Sequence, residues 1–178
     1  MTSGPVACPP SARHPIRRAA PADVPEILAM VRELADFERL VDEAIATPRQ
    51  FHDALFGPAP AVYAFVVDDD PAAGTLAGFA LYFLNFSTWL GVHGIYLEDL
   101  YVRPQFRGSG LGKRLLAALA AECVDKGYGR LEWWVLDWNT DALDFYRSQG
   151  AVPMDEWTVQ RLTGAALANL AGQAQEEA

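Results

Sequence analysis

Apolar and polar positions along the chain follow two periods. Ile27, Met30, Val31, Leu34 and Phe37 recur at three- and four-residue spacing, the stripe of an amphipathic helix. Asp23, with Glu26 three residues on, reads as a capping box at its start. Thr47-Pro48 followed by Gln50 carries the same signature and opens a short helix that stops at Gly57-Pro58. Val62 to Val67 and Leu76 to Phe86 are rich in β-branched, aromatic and aliphatic residues. With the Asp/Pro/Gly turn from Asp68 to Gly74 between them, they predict a hairpin. Ile95 to Val102 is another strand. A helix follows with Leu115, Leu116, Leu119, Ala120, Cys123 and Val124 inward, ending at Gly127. Leu131 to Trp138 reads as a strand, Thr140 to Gln149 as a helix, Trp157 to Leu162 as a last strand and Ala165 to Ala178 as a helix. Several strands succeed one another directly. The order therefore predicts an α/β domain with a central mixed, largely antiparallel twisted sheet flanked by helices.

Composition narrows the class. The chain has 178 residues and is 51% hydrophobic, enough for one domain with a real core. Its net charge is −9, which argues against a phosphate backbone or an anionic membrane surface and suits a cationic partner. Three arginines and no acid fall in the first 18 residues, so the acidity belongs to the folded part. Residues 1–14 read as a flexible leader, 15–170 as the domain and 171–178 as a frayed tail. Cys8 and Cys123 lie far apart, and His14, His52 and His93 lack ligand spacing, so neither a disulfide framework nor a metal site is expected. With neither a signal peptide nor a membrane-length apolar run, a cytoplasmic protein is expected.

The sharpest local feature is Arg107-Gly108-Ser109-Gly110-Leu111-Gly112-Lys113, between a strand and a helix. Glycines there let backbone N–H groups and the helix dipole approach an anion. The Walker pattern aligned on Gly112-Lys113 needs glycine at 107 and Ser/Thr at 114, where Arg107 and Arg114 stand. The dinucleotide fingerprint started at Gly108 or Gly110 ends on Lys113 or Leu115 and fails as well. What remains is R-x-x-G-x-G, or a turn and helix start without a ligand.

That loop resembles the acetyl-CoA loop of the GNAT superfamily of N-acetyltransferases. Leu97-Glu98-Asp99-Leu100-Tyr101-Val102 upstream, and Asn139 with Asp144-Phe145-Tyr146-Arg147-Ser148-Gln149-Gly150-Ala151 downstream, resemble its diamine/polyamine branch, the spermidine/spermine and thialysine N-ε-acetyltransferases. The similarity spans about Ile16 to Leu170. It implies a single GNAT-type domain and acetyl-CoA as co-substrate, bound by the backbone of Leu100, Tyr101 and Val102, by the loop Arg107, Gly108, Ser109, Gly110, Leu111, Gly112 and Lys113, and by Asn139. It also implies a small-molecule amine as the other substrate, and a homodimer.

Amine acetylation needs a proton removed from an ammonium, fixed donors for the thioester oxygen and a proton for the leaving thiolate. Paired acids Glu98 and Asp99 can serve the first need, on opposite faces if their strand is regular. The resemblance implies Glu98 as a base acting through water and Asp99 as a contact to the amine; two solvated acids are the alternative. It implies Tyr146 as general acid, where packing alone would otherwise be the reading. Glu38 aligns with a substrate-contacting acid, but Phe37 replaces the branch's tyrosine and Ser87 the acid two positions before Trp89. Trp89 is either an aromatic wall for a cation or a loop anchor. Losing a counter-charge favours a short amine, a diamine or a lysine analogue at least as much as spermine. The alternatives are a GNAT enzyme for another amine, such as an antibiotic or a protein N-terminus, and a non-catalytic acyl-CoA sensor. Trp133, Trp134 and Trp157 serve either core or interface.

Overall fold

The computed structural model describes residues 14–176, and most of its elements follow the expected helical and strand periods. They are β1 (Ile16–Arg18), α1 (Val24–Phe37), α2 (Pro48–Phe56), β2 (Tyr63–Asp70), β3 (Thr75–Ser87), β4 (Val92–Val102), α3 (Leu111–Lys126), β5 (Leu131–Glu132), α4 (Thr140–Ser148) and α5 (Gly164–Glu176). Cys8 and most of the expected leader lie outside the described residues. The chain divides into two compact units, Met1–Leu136 and Asp137–Ala178.

The first unit holds the sheet, ordered β1-β2-β3-β4-β5. All pairings are antiparallel except β4 with β5, so the sheet is mixed and largely antiparallel as expected. One face packs on α1 and α2: Ile27, Met30 and Leu55 bury against Ala64, Val66, Phe79, Leu81 and Tyr101. The residues between these, Phe65, Ala80, Tyr82 and Leu97, belong to the opposite face by strand alternation. There Tyr82 donates to Glu122 of α3 at 2.6 Å. The helix α3 buries Leu111, Leu115, Leu116, Leu119 and Cys123, whereas Ala120 and Val124, expected inward, are exposed. Their positions fall beyond the edge of the stripe that Leu111, Leu115 and Leu119 define at four-residue spacing.

Thr47 and Gln50 form the expected capping box, with Gln50 N–H donating to Thr47 Oγ1 at 3.3 Å and Thr47 N–H to Gln50 Oε1 at 2.8 Å. Asp23 and Glu26 do not form one. A 3-10 turn, Pro21–Asp23, precedes α1, and the Asp23 carboxylate turns back to accept from Ala20 N–H at 2.7 Å. The Arg17 fork holds it at 2.6 and 2.8 Å and bridges to Asp68 at 2.8 Å. Burial alone would raise the Asp23 carboxyl, and Arg17 reverses this and holds it below its ordinary value.

Two expected strands are corrected. Of Leu131 to Trp138 only Leu131 and Glu132 join the sheet, and Trp157 to Leu162 is exposed and forms no strand. Strand propensity describes fit to a pleated surface and supplies no partner edge.

The end of α1 sets the position of Glu38. Arg39 N–H bonds to Asp36 O at 3.0 Å and Leu40 N–H to Ala35 O at 2.8 Å, a Schellman ending with Arg39 in the left-handed region at φ 61°. Glycine is the residue this position favours, and a side chain there costs about 1 kcal/mol. Arg39→Gly is therefore expected to stabilise the fold by about 1 kcal/mol in urea unfolding. Arg39→Val is expected to destabilise it.

Candidate active site

Candidate site residues gather where β4 departs from regular alternation. Leu97 stands opposite Tyr82 but Asp99 opposite Leu81, so Glu98 is an extra residue in β4, a bulge. The bulge transfers Asp99 and Tyr101 to the face that packs on α1. The expectation that Glu98 and Asp99 lie on opposite faces of a regular strand is corrected accordingly. Glu98 is exposed, while burial, then the charges of Glu98 and Glu38, pushes the Asp99 carboxyl up to about 7. Glu38, at the C-cap of α1, is itself raised by burial. Asp99 thus feels two acids from two elements, and burial plus their repulsion sets it near neutrality.

A network not expected from the sequence holds that arrangement. Arg103, just past β4, donates to Glu26 at 2.8 Å, to Glu33 at 3.0 Å and to Leu76 O at 2.9 Å, clamping one side of α1 to the sheet. Glu33 also bonds the buried Tyr101 hydroxyl, whose pKa is raised by burial and then by the Glu33 charge. The Arg107 guanidinium lies 5.7 Å from the Tyr101 ring centroid and 5.5 Å from that of Phe37, within cation–π range. Arg107 Nε donates to Val102 O at 3.1 Å. Its side chain therefore spans from the glycine loop to the end of α1. Glu33 and Arg103 lie 70 positions apart, beyond the reach of any local pattern.

The loop itself is built for backbone exposure. Gly108 and Gly110 sit at φ 75° and 83°, the left-handed region, with open space where a Cβ would stand. The first helical bond of α3 runs from Arg114 N–H to Gly110 O at 3.0 Å, so the N–H groups of Leu111, Gly112 and Lys113 have no partner within the helix. Lys113 is exposed beside them, and the Ser109 hydroxyl donates to Phe106 O at 2.5 Å. On the β5 side, β4 pairs only at Ile95 and Tyr96. From Leu97 to Val102 that edge carries no ladder among the described residues, so the backbone of Leu100, Tyr101 and Val102 has no strand partner on that side.

Trp89 lies in the turn between β3 and β4 and is 89% exposed. The strand from Val92 to Asp99 spans roughly 20 Å, so one chain does not bring Trp89 to the acids. Ser87 is buried, and its hydroxyl accepts from Leu90 N–H at 3.2 Å, which makes it a turn cap. In the second unit Asn139 is the N-cap of α4, its Oδ1 accepting from Ala142 N–H at 3.2 Å. Tyr146, on the same helix, is pushed up to about 12 by burial, so its phenol stays protonated through neutral pH.

A strand with an open edge, a glycine loop leading into a helix and a strand-borne acid pair define an acyltransferase of the GNAT type. The chain belongs to the Acetyltransferase (GNAT) family, which matches residues 28–151. It is an N-acetyltransferase, and enzymes of this family use acetyl-CoA as co-substrate. A thialysine N-epsilon-acetyltransferase of Bos taurus is 36% identical over 165 residues, covering 88% of this chain and 96% of that protein. An L-ornithine N5-acetyltransferase of Arabidopsis thaliana is 34% identical, covering 85% of each. The solved structure of an integron cassette protein from the mobile metagenome of V. cholerae superposes with a TM-score of 0.75 at 26% identity, covering 89% of this chain and 98% of that one.

The raised Asp99 carboxyl has a consequence for stability. Its proton is favoured in the folded chain, so its contribution is complete below the ordinary carboxyl value of 3.8 and is lost as pH rises to about 7. Asp99→Asn does not titrate. Its stability advantage over the parent in urea unfolding is expected to grow by about 2–4 kcal/mol between pH 4 and pH 7 and to stay flat above pH 8.

Proposed function

We propose that this enzyme moves the acetyl group of acetyl-CoA directly to a primary amine of a small cationic substrate: a diamine, a polyamine or a lysine analogue such as thialysine. The observation that carries the reading is the convergence of Glu38, Glu98 and Asp99. Two carboxyl groups acting on a third, the buried Asp99 near neutrality, form a site that attracts an ammonium and can take its proton. The names of the thialysine and ornithine acetyltransferases similar to this chain support the same substrate class.

The residues present fit acetyl-CoA. Positive-φ glycines, orphan N–H groups at the start of α3 and exposed Lys113 suit a pyrophosphate, and the open β4 edge suits amide groups of an extended arm. Arg107 to Lys113, the backbone of Leu100 to Val102, and Asn139 would hold it. When bound, it supplies the acyl group as an activated thioester. Asp99 holds the substrate ammonium, whose charge pulls the Asp99 pKa down. Glu98, exposed on the bulge, passes the released proton through water to solvent. Tyr146 keeps its phenolic proton at neutral pH and donates it where thiolate charge develops. Glu38 and Phe37 line the amine side.

Ser87 caps its own turn and carries no charge toward substrate, which favours a short amine over a long polycation. We also propose a homodimer. The exposed Phe86, Trp89 and Leu90 at the β3–β4 turn support it, and sedimentation measures it.

The test follows thiol release from acetyl-CoA over spermidine, putrescine, thialysine, lysine and glycine-type amines. Thialysine or a diamine is expected to give the highest kcat/KM, rising with pH through about 7. Tyr146→Phe is expected to lower kcat by about 100-fold while CoA affinity stays within about twofold. Full activity in that variant would remove Tyr146 from the role of acid, and CoA binding without turnover on any amine would favour a sensor.

A further inference from the structure

A cavity of about 340 Å³ opens at the β1 edge of the sheet, lined by none of the residues assigned to acetyl transfer. Its apolar part comes from Leu55, Phe56 and Leu84, with the rings of Tyr63 and Tyr128 beside them. One wall is a closed polar triad: Arg18 donates to Glu122 at 2.6 Å, Tyr82 donates to the same carboxylate at 2.6 Å, and Arg18 also bonds the Tyr82 hydroxyl. The Arg18 guanidinium is further stacked 4.3 Å from the Phe65 ring centroid. The Glu122 charge is therefore already answered by Arg18.

Lys126, one helical turn after Glu122 and the last residue of α3, also lines the cavity, its side chain exposed and in no ion pair among the described residues. The hydroxyls of Tyr63 and Tyr128 are likewise without a side-chain partner there. The cavity lining thus carries two cations, Arg18 and Lys126, against one carboxylate, Glu122, with two phenolic hydroxyls over an apolar floor, within a chain of net charge −9. That is the inverse of the acid cluster at Asp99. Burying a ligand's apolar body on Leu55, Phe56 and Leu84 supplies affinity, and Lys126 with the tyrosine hydroxyls selects its charge. The volume lies at the small end of ligand sites and suits one ring with a short chain.

We propose that this cavity is a second ligand site, separate from the acetyl-transfer centre, that takes a small carboxylate anion carrying an aromatic or branched apolar body. It stands independently of the amine assigned above.

The experiment titrates the full-length protein with sodium 3-phenylpropionate, followed by calorimetry and by NMR shifts. The neutral alcohol 3-phenylpropanol, with the same apolar body, is the comparison. Saturable binding of the carboxylate is expected, at least about fivefold tighter than the alcohol. Lys126→Glu is expected to weaken the carboxylate by about fivefold or more and Lys126→Arg to retain it. Lys126 is exposed, so both variants keep the fold, which thermal melts verify. Saturating CoA is expected to leave the carboxylate affinity within about twofold. Absence of saturable binding, equal affinity for the alcohol, indifference to Lys126→Glu, or displacement by CoA would each overturn the proposal.

Discussion

One extra residue in β4 decides the character of the site. Without the bulge at Glu98, two-residue alternation would send Asp99 and Tyr101 to the face covered by α3, among Tyr82 and Leu97. With it, Asp99 comes under the influence of Glu38 and Tyr101 reaches Glu33. Burying a carboxyl among other carboxyls is unfavourable, and the fold tolerates it because surrounding contacts are strong. Arg103 fixes α1 against the sheet through two carboxylates and a carbonyl, and Phe79, Leu81 and Ile27 pack the same face. The cost is of the kind expected where a perturbed titration serves chemistry.

The two substrates of the proposed acetyl transfer carry opposite charge, and the molecule offers separate means of holding them. In the proposed reaction a cationic amine would be attracted by side-chain carboxyls on β4 and at the end of α1. An anionic acyl donor would meet backbone donors and Lys113 at the start of α3, where contact-range bonds outweigh screened repulsion from a chain of charge −9. Arg107 lies between these regions and is bound to both, through Val102 O and through the faces of Tyr101 and Phe37. Most of the acidic excess, including exposed Asp70 and the turn it caps, has no part in this.

Much of the fold was legible because its signals are local. The hairpin from β2 to β3, the Thr47 cap and the glycines before α3 each rest on residues a few positions apart, and each forms as read. The acids Glu38, Glu98 and Asp99 were legible as candidates, but their convergence was not. A bulge leaves no mark in a period-two pattern, and the α1 ending depends on Arg39 adopting a conformation that sequence assigns to glycine. Glu33 and Arg103 were missed for a different reason. Each reads alone as a solvated charge, and only tertiary folding joins them. Trp157 to Leu162 was over-read because aromatic and β-branched residues signal a strand whether or not a partner edge exists.

Everything in this picture of the amine site passes through the Asp99 carboxyl, so its titration is the decisive measurement. Carbon-13 NMR of the side-chain carboxyl, assigned by comparison with Asp99→Asn, follows it with pH in the free enzyme and with saturating diamine. A midpoint near 7 that falls when the diamine binds is expected, because burial and neighbouring acids raise it and a bound ammonium reverses the effect. A midpoint in the ordinary carboxylate range that ignores the diamine would contradict the acid cluster as the amine-binding site.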